Sequence, residues 1–281
     1  MRIAISNIAW DPFEDDAVAD LLNTYDIDAI DVAPPKYFPV PREAAGTDID
    51  RVRQWWSDRG IEITGMQSLL FGTTGLNLFG QADSRRAMLD HLDSVCRIGA
   101  GLGATRLVFG SPKNRDRMNL TDAEVDQLSS EFFRQLGDVA QAHGVTICLE
   151  PNPSRYGCNF MTLTEETAHV VRQVAHPAIR MQLDIGALAI NGEQPARMVA
   201  DYAPLIGHIH ASEPDLVPLG DGGSDHRGAA AAISAALPDH VVSIEMVATK
   251  QEPHLEAIER AIQIATTHYR LGSDARQEEV R

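Results

Sequence analysis

Two periodicities alternate along this chain. Short runs rich in apolar and β-branched residues, RIAIS (2–6), IDAIDV (27–32), IEITGMQ (61–67) and TRLVFG (105–110), are each followed by a longer stretch. In the longer stretches apolar positions recur three and four apart, the spacing of a helix that buries one face; the short runs predict strands. VTICLE (145–150), IRMQLD (179–184), IGHIH (206–210) and VVSIE (241–245) continue the strand series. EDDAVADLLNTY, DIDRVRQWWSDRG, SRRAMLDHLDSVCRIGAGLG, TDAEVDQLSSEFFRQLGDVAQAHG, TEETAHVVRQVA, PARMVADYAP, GAAAAISAALP and HLEAIERAIQIATTHY supply the helices. Gly60 and Gly144 stand where a helix must stop before the next strand begins. Eight strands and eight helices in strict alternation, with no linker or low-complexity break, predict a single (β/α)8 TIM barrel over residues 1–272 and a solvated tail over 273–281.

The last four strands share an unusual ending. Apolar runs that want burial finish on Glu150, Asp184, His210 and Glu245, roughly one βα unit apart, so these side chains take equivalent places on neighbouring strands. In this fold the C-terminal strand ends form the active face. The phase agrees: Cys148, Gln182, His208 and Ser243, two residues earlier, share the inward face, and the intervening Leu149, Leu183, Ile209 and Ile244 face the helices. Three converging carboxylates repel one another unless a positive charge sits among them, and His210 alone cannot balance them. One divalent cation would leave the site near −1. Oxygen-rich ligation with a single imidazole suits Mn²⁺, with Mg²⁺, Co²⁺ or Zn²⁺ as alternatives.

Composition narrows the partners. A formal charge of −16 over 281 residues repels polyanions, which argues against nucleic acid. No stretch approaches the length of a membrane span. MRIAISNIAW has neither the basic run nor the cleavage pattern of a secretory leader, and three cysteines (Cys96, Cys148, Cys158) have no paired spacing. The expectation is a cytoplasmic protein without disulfides.

The motifs LEPNP, LDIGA, GHIHASEPDLVPLGDG and SIEM, with NLFGQADSRRAMLDHLDSVCRIGAGLGATRLVFG ahead of them, extend the picture. Together they resemble the xylose isomerase-like barrel superfamily, specifically its sugar phosphate isomerase/epimerase group, which includes the ketose 3-epimerases. The resemblance spans residues 2 to about 270. It implies a single metal site on Glu150, Asp184, His210 and Glu245, with Glu150 and Glu245 also serving as acid and base. It further implies a hydroxy-ketone carbohydrate substrate (a sugar, sugar phosphate or derivative), proton transfer through a metal-stabilised enediolate, and dimers or tetramers. Three positions depart from the epimerase pattern: Ala187 replaces a histidine, Tyr156 a glutamate and Leu216 an arginine, while Glu213 matches the acidic residue of its loop. A dehydratase on the same metal site, an abasic-site endonuclease and a non-catalytic sugar-binding barrel are the rival readings. The nuclease needs extra histidines, one of them at Ala187, that this chain lacks.

The remaining candidates divide between site and scaffold. His208 lies one layer below His210, as a support for the site or as a core histidine. Lys113, Arg115 and Arg117 follow strand four near the mouth, to capture an anionic group or as a solvated basic loop, with Lys113 the best placed. Asn159 bonds substrate or holds its own turn. Trp10 walls the site, Trp55 and Trp56 pack helix two, LGDGG (219–223) is a turn shaping the pocket, and His226 belongs to the surface near helix seven.

Overall fold

The computed structural model describes residues 1–270. All eight expected strands form: β1 Arg2–Ser6, β2 Ala29–Val32, β3 Glu62–Met66, β4 Arg106–Phe109, β5 Thr146–Leu149, β6 Ile179–Asp184, β7 Ile206–Ser212 and β8 Val241–Glu245. They close in sequence order, β1 to β8, as the parallel sheet of a (β/α)8 TIM barrel. Ser6 of β1 lies opposite Asp31 of β2, and His210 of β7 opposite Ser243 of β8. These registers bring polar, inward-phased residues of adjacent strands to one level.

The helices are α1 Asp15–Thr24, α2 Gly46–Ser57, α3 Ala82–Leu102, α4 Asp122–Ala142, α5 Thr164–Val174, α6 Ile185–Asn191, α7 Pro195–Tyr202, α8 His226–Ala236 and α9 His254–Ala265. Thr121 and Glu124 form a reciprocal capping box at the start of α4, an arrangement whose loss costs about 1 kcal/mol. Gly60 and Gly144 take the left-handed backbone expected of helix stops, at φ 74° and 72°. Strict alternation fails at one place. The seven-residue α6 precedes α7 between β6 and β7, and its IGALAIN run has four consecutive buried residues and no polar stripe. A helix buried from the start leaves no amphipathic signal.

The chain packs as two compact units. One comprises Met1–Val32, Trp55–Ile63 and the described residues from Leu183 onward; the other comprises Ala33–Gln54 and Thr64–Gln182. The first buries Ile3, Ile5, Ile30, Val242 and Ile244 with Ile258 and Ile262 of α9, and Trp10 meets Trp56 edge to face. The second is built around Leu92, Phe109, Phe133, Leu136 and Ile147, with the Phe109 and Phe133 rings edge to face at 5.4 Å. The expected tail, 273–281, lies outside the described residues. No described helix is long and apolar enough to cross a membrane.

Candidate functional site

Within the first unit, three strand ends converge. Asp184 closes β6 and caps α6, its Oδ1 accepting the Ala187 N–H at 2.5 Å. This bond fixes the carboxylate plane and leaves Oδ2 3.8 Å from His210 Nδ1. Glu245, the last residue of β8, places Oε2 3.1 Å from the same nitrogen. Gly186 lets α6 start flat against β7: a Cβ there would sit 2.8 Å from the Glu213 backbone. Two buried carboxylates thus face one imidazole nitrogen, which can neutralise at most one of them.

In the second unit Glu150 follows β5, tied to β4 through its N–H and the Phe109 carbonyl at 3.1 Å. Asn152 donates to Glu150 Oε2 at 2.9 Å, and Arg115 holds both neighbours, donating to the Glu150 carbonyl and to Asn152 Oδ1. Gly110 makes room for the carboxylate, since a Cβ at that position would collide with Glu150 Oε2. Arg115 is therefore no mouth cation. It is fully buried, and burial first of all holds its guanidinium pKa below the ordinary value.

Asp184, His210 and Glu245 offer ligand atoms that all lie within 4.8 Å of one another, and all three are buried. Ligands about 2.0–2.2 Å from one ion stand at most about 4.4 Å apart, so the group needs only slight contraction to enclose a cation. Two carboxylates and one imidazole also carry the negative excess that a divalent ion offsets. The residues fit a single divalent metal.

Beneath this group, His208 Nε2 lies 2.9 Å from Asp31 Oδ2, and the His208 and His210 rings meet edge to face at 5.0 Å. Burial alone would raise the Asp31 carboxyl; His208, and then His210, outweigh it and hold the pKa below the usual value.

Other expected residues have different surroundings. Trp10 is wholly buried, packed on Trp56 with its indole N–H on Asp15, so it presents no surface to a substrate. Glu213 is buried too, and its oxygens accept from Gly220 N–H and Ser224 N–H, both at 2.8 Å, and contact His226 Nε2 at 3.1 Å. Burial would raise this carboxyl, but His226, Ser224 and Gly220 hold it at about 2. His226 is not at the surface: it is buried, bridging Glu213 to the Tyr269 hydroxyl. Asn159 ties its loop to the preceding one, accepting the Arg117 N–H and donating to Asp116 Oδ1. Lys113 is exposed. Arg117 pairs with Asp122. Asp215 and Leu216 both take left-handed backbone, at φ 59° and 53°, in the loop that leaves β7. The Leu216 carbonyl accepts the Val247 N–H just past Glu245, so a strained turn braces the end of β8.

A family model described as xylose isomerase-like TIM barrel matches residues 19–267. Among solved structures, an L-ribulose 3-epimerase superposes with a TM-score of 0.80 at 16% identity, over 99% of this chain and 97% of its own. The 3-keto-D-glucoside 4-epimerase YcjR from E. coli gives 0.78 at 17% identity, over 95% and 99%. The IOLI protein, determined with a bound zinc atom, gives 0.75 at 16% identity, over 96% and 98%. No curated protein sequence matches the chain.

Proposed function

The chain belongs to the xylose isomerase-like TIM barrel family, and from that premise we propose a divalent-metal-dependent isomerase or epimerase of a hydroxy-ketone carbohydrate. The observation that carries this reading is the buried group Asp184, His210 and Glu245, negative in excess, to which Glu150, following β5, adds a fourth donor in this proposal. We assign all four as ligands of one ion, with Mn²⁺ the first choice on donor chemistry. The neighbours' printed activities, epimerisation of a ketose and of a keto-glucoside, and the zinc of a third support the same class.

When bound, the ion would polarise a substrate carbonyl and stabilise the enediolate charge that follows loss of the adjacent proton. The protein's own part is proton traffic. Glu150 follows β5 and Glu245 ends β8, and carboxylates from two separate strands give one base and one acid for removing and returning a proton at a single carbon. Asn152 and Arg115 hold Glu150 in orientation, and the α6 amide does the same for Asp184. Such fixed geometry lets a weak base act without first being ordered.

The substrate shell is the chain's own. Ala187 is buried and donates only its backbone N–H to Asp184, and Tyr156 is 39% exposed. Neither Ala187 nor Leu216 brings a polar side chain to the site. A sugar derivative therefore suits this chain better than an unmodified hexulose, and exposed Lys113, beyond β4, is the side chain we assign to an anionic substituent.

The test is turnover of a panel of ketoses, keto-glycosides and ketose phosphates in D₂O with Mn²⁺. A carboxylate base exchanges its proton with water, so product and recovered substrate should carry deuterium at the reacting carbon. Turnover without deuterium would contradict proton transfer, and inertness across the panel would contradict the class.

A further inference from the structure

Lysine is used sparingly in this chain, and in one kind of place. Of its 24 basic residues only Lys36, Lys113 and Lys250 are lysines. Lys36 and Lys113 lie on short turns just past β2 and β4, and Lys250 lies between β8 and α9. All three are on loops that leave the C-terminal strand ends, where this fold builds its active sites. The arginines keep no such rule: Arg2 is in β1, Arg53 in α2, Arg134 in α4 and Arg180 in β6. The two side chains suit different tasks. Arginine braces through a planar fork, whereas lysine is a mobile point charge that meets a phosphate or carboxylate from several directions.

Lys250 has the most definite support. Residues 246–253 directly follow Glu245, and they are fastened on both sides of the lysine. Ahead of it, Val247 and Ala248 donate their N–H groups to the Leu216 and Ile8 carbonyls, both at 3.0 Å. Past it, Glu252 accepts from Arg260 at 2.6 Å, and His254 Nδ1 lies 2.7 Å from Glu14 Oε2. The Gln251 N–H donates to Thr249 Oγ1 at 3.2 Å, closing a tight turn around Lys250. Arg260 also donates twice to Asp221 of the β7 loop, at 3.1 and 3.0 Å. Asp221 and Glu252 are thus engaged by Arg260. Lys250 is exposed, and among the described residues no carboxylate pairs with it. The lysine holds none of the contacts that fix its loop, so its charge is left for a ligand.

Resting on the isomerase or epimerase reading above, we propose that Lys250 is a specificity-determining residue whose ammonium binds an anionic group, phosphate or carboxylate, carried by the sugar. Arg260 is the positioning residue that holds its loop. The assignment stands on this loop alone. It narrows the substrate to a charged ketose, and it gives the rigid stretch after Glu245 a task that the proton chemistry does not.

Wild type, Lys250→Gln, Lys250→Arg and Arg260→Gln, each loaded with Mn²⁺, are assayed on D-fructose, D-fructose 6-phosphate and D-fructuronate. In Lys250→Gln, KM should rise about five- to tenfold for each anionic sugar that the wild type turns over. Its kcat, and both constants for D-fructose, should not change. Lys250→Arg should keep most of the affinity, and Arg260→Gln should fall between Lys250→Gln and wild type. The phosphate and carboxylate arms tell which group is recognised. An unchanged KM for both anionic sugars overturns the proposal, as does turnover of D-fructose alone. An equal loss on D-fructose also overturns it, because that marks a structural effect. Where none of the three sugars turns over, calorimetric binding of the two anionic sugars decides the proposal apart from the isomerase reading. Weaker binding in Lys250→Gln supports it, and equal or absent binding overturns it.

Discussion

Two histidine–carboxylate clusters lie buried in the same unit, within a few residues of each other on β7 and its loop, and they are balanced in opposite ways. At His210, the Asp184 and Glu245 carboxylates face one ring nitrogen, so negative charge exceeds what the imidazole can neutralise. At Glu213, a single carboxylate is met by two backbone N–H donors and His226, and the histidine is tied onward to Tyr269. The second cluster is electrically complete and holds the β7 loop, the start of α8 and the end of the described chain together. The first keeps a negative excess, which the proposed cation would offset. Burial and residue type are the same in both; the ratio of acceptors to donors separates a site from a brace.

Substitutions in the two clusters should have effects of different kind and size. The largest belongs to the proton carriers: Glu150→Gln and Glu245→Gln should each lower kcat by at least about 10²–10⁴ on an identified substrate. Full activity in either variant would remove that glutamate from the chemistry. Next, Glu213→Gln should destabilise the fold. The folded carboxyl titrates at about 2 against 4.5 ordinarily, so its stabilisation is complete above about pH 4.5 and is lost as pH falls toward about 2. The contribution is at most about 3 kcal/mol at neutral pH, and urea unfolding at pH 7 and pH 3 should show the variant losing more at the higher pH. Glu245→Gln in the metal-free protein should have the opposite sign, matching or exceeding wild type, because it relieves crowded negative charge. Destabilisation of both variants alike would erase the distinction drawn between the clusters. The smallest effect is that of Lys113→Ala: stability within about 0.5 kcal/mol of wild type, with KM raised roughly two- to fivefold for anionic substrates only.

The sequence revealed the strands and their polar endings more clearly than it revealed what holds them. Alternation in β5 to β8 marks both the inward phase and the four polar endings, because period-2 patterning survives in a linear reading. IGALAIN left no trace as a helix because it is buried from its first residue. Arg115 read as a surface cation because its neighbours Lys113 and Arg117 are basic, and only the fold shows it turned inward beneath Glu150. His226 and Tyr269 lie 43 residues apart and meet through packing of α8 against the chain end, which no local pattern encodes. Trp10, read as a wall of the site, is drawn into the core by Trp56 and by a hydrogen bond to Asp15. Strand-end chemistry is local and therefore legible. Its supports come from other elements.

Metal content decides whether Asp184, His210 and Glu245, with Glu150, hold one cation. Wild type and an Asp184→Ala/His210→Ala variant are loaded with Mn²⁺, freed of excess by gel filtration and submitted to elemental analysis. About one metal per wild-type chain is expected, and none in the double variant. A metal-free wild type, or stoichiometric metal retained by the double variant, would contradict it.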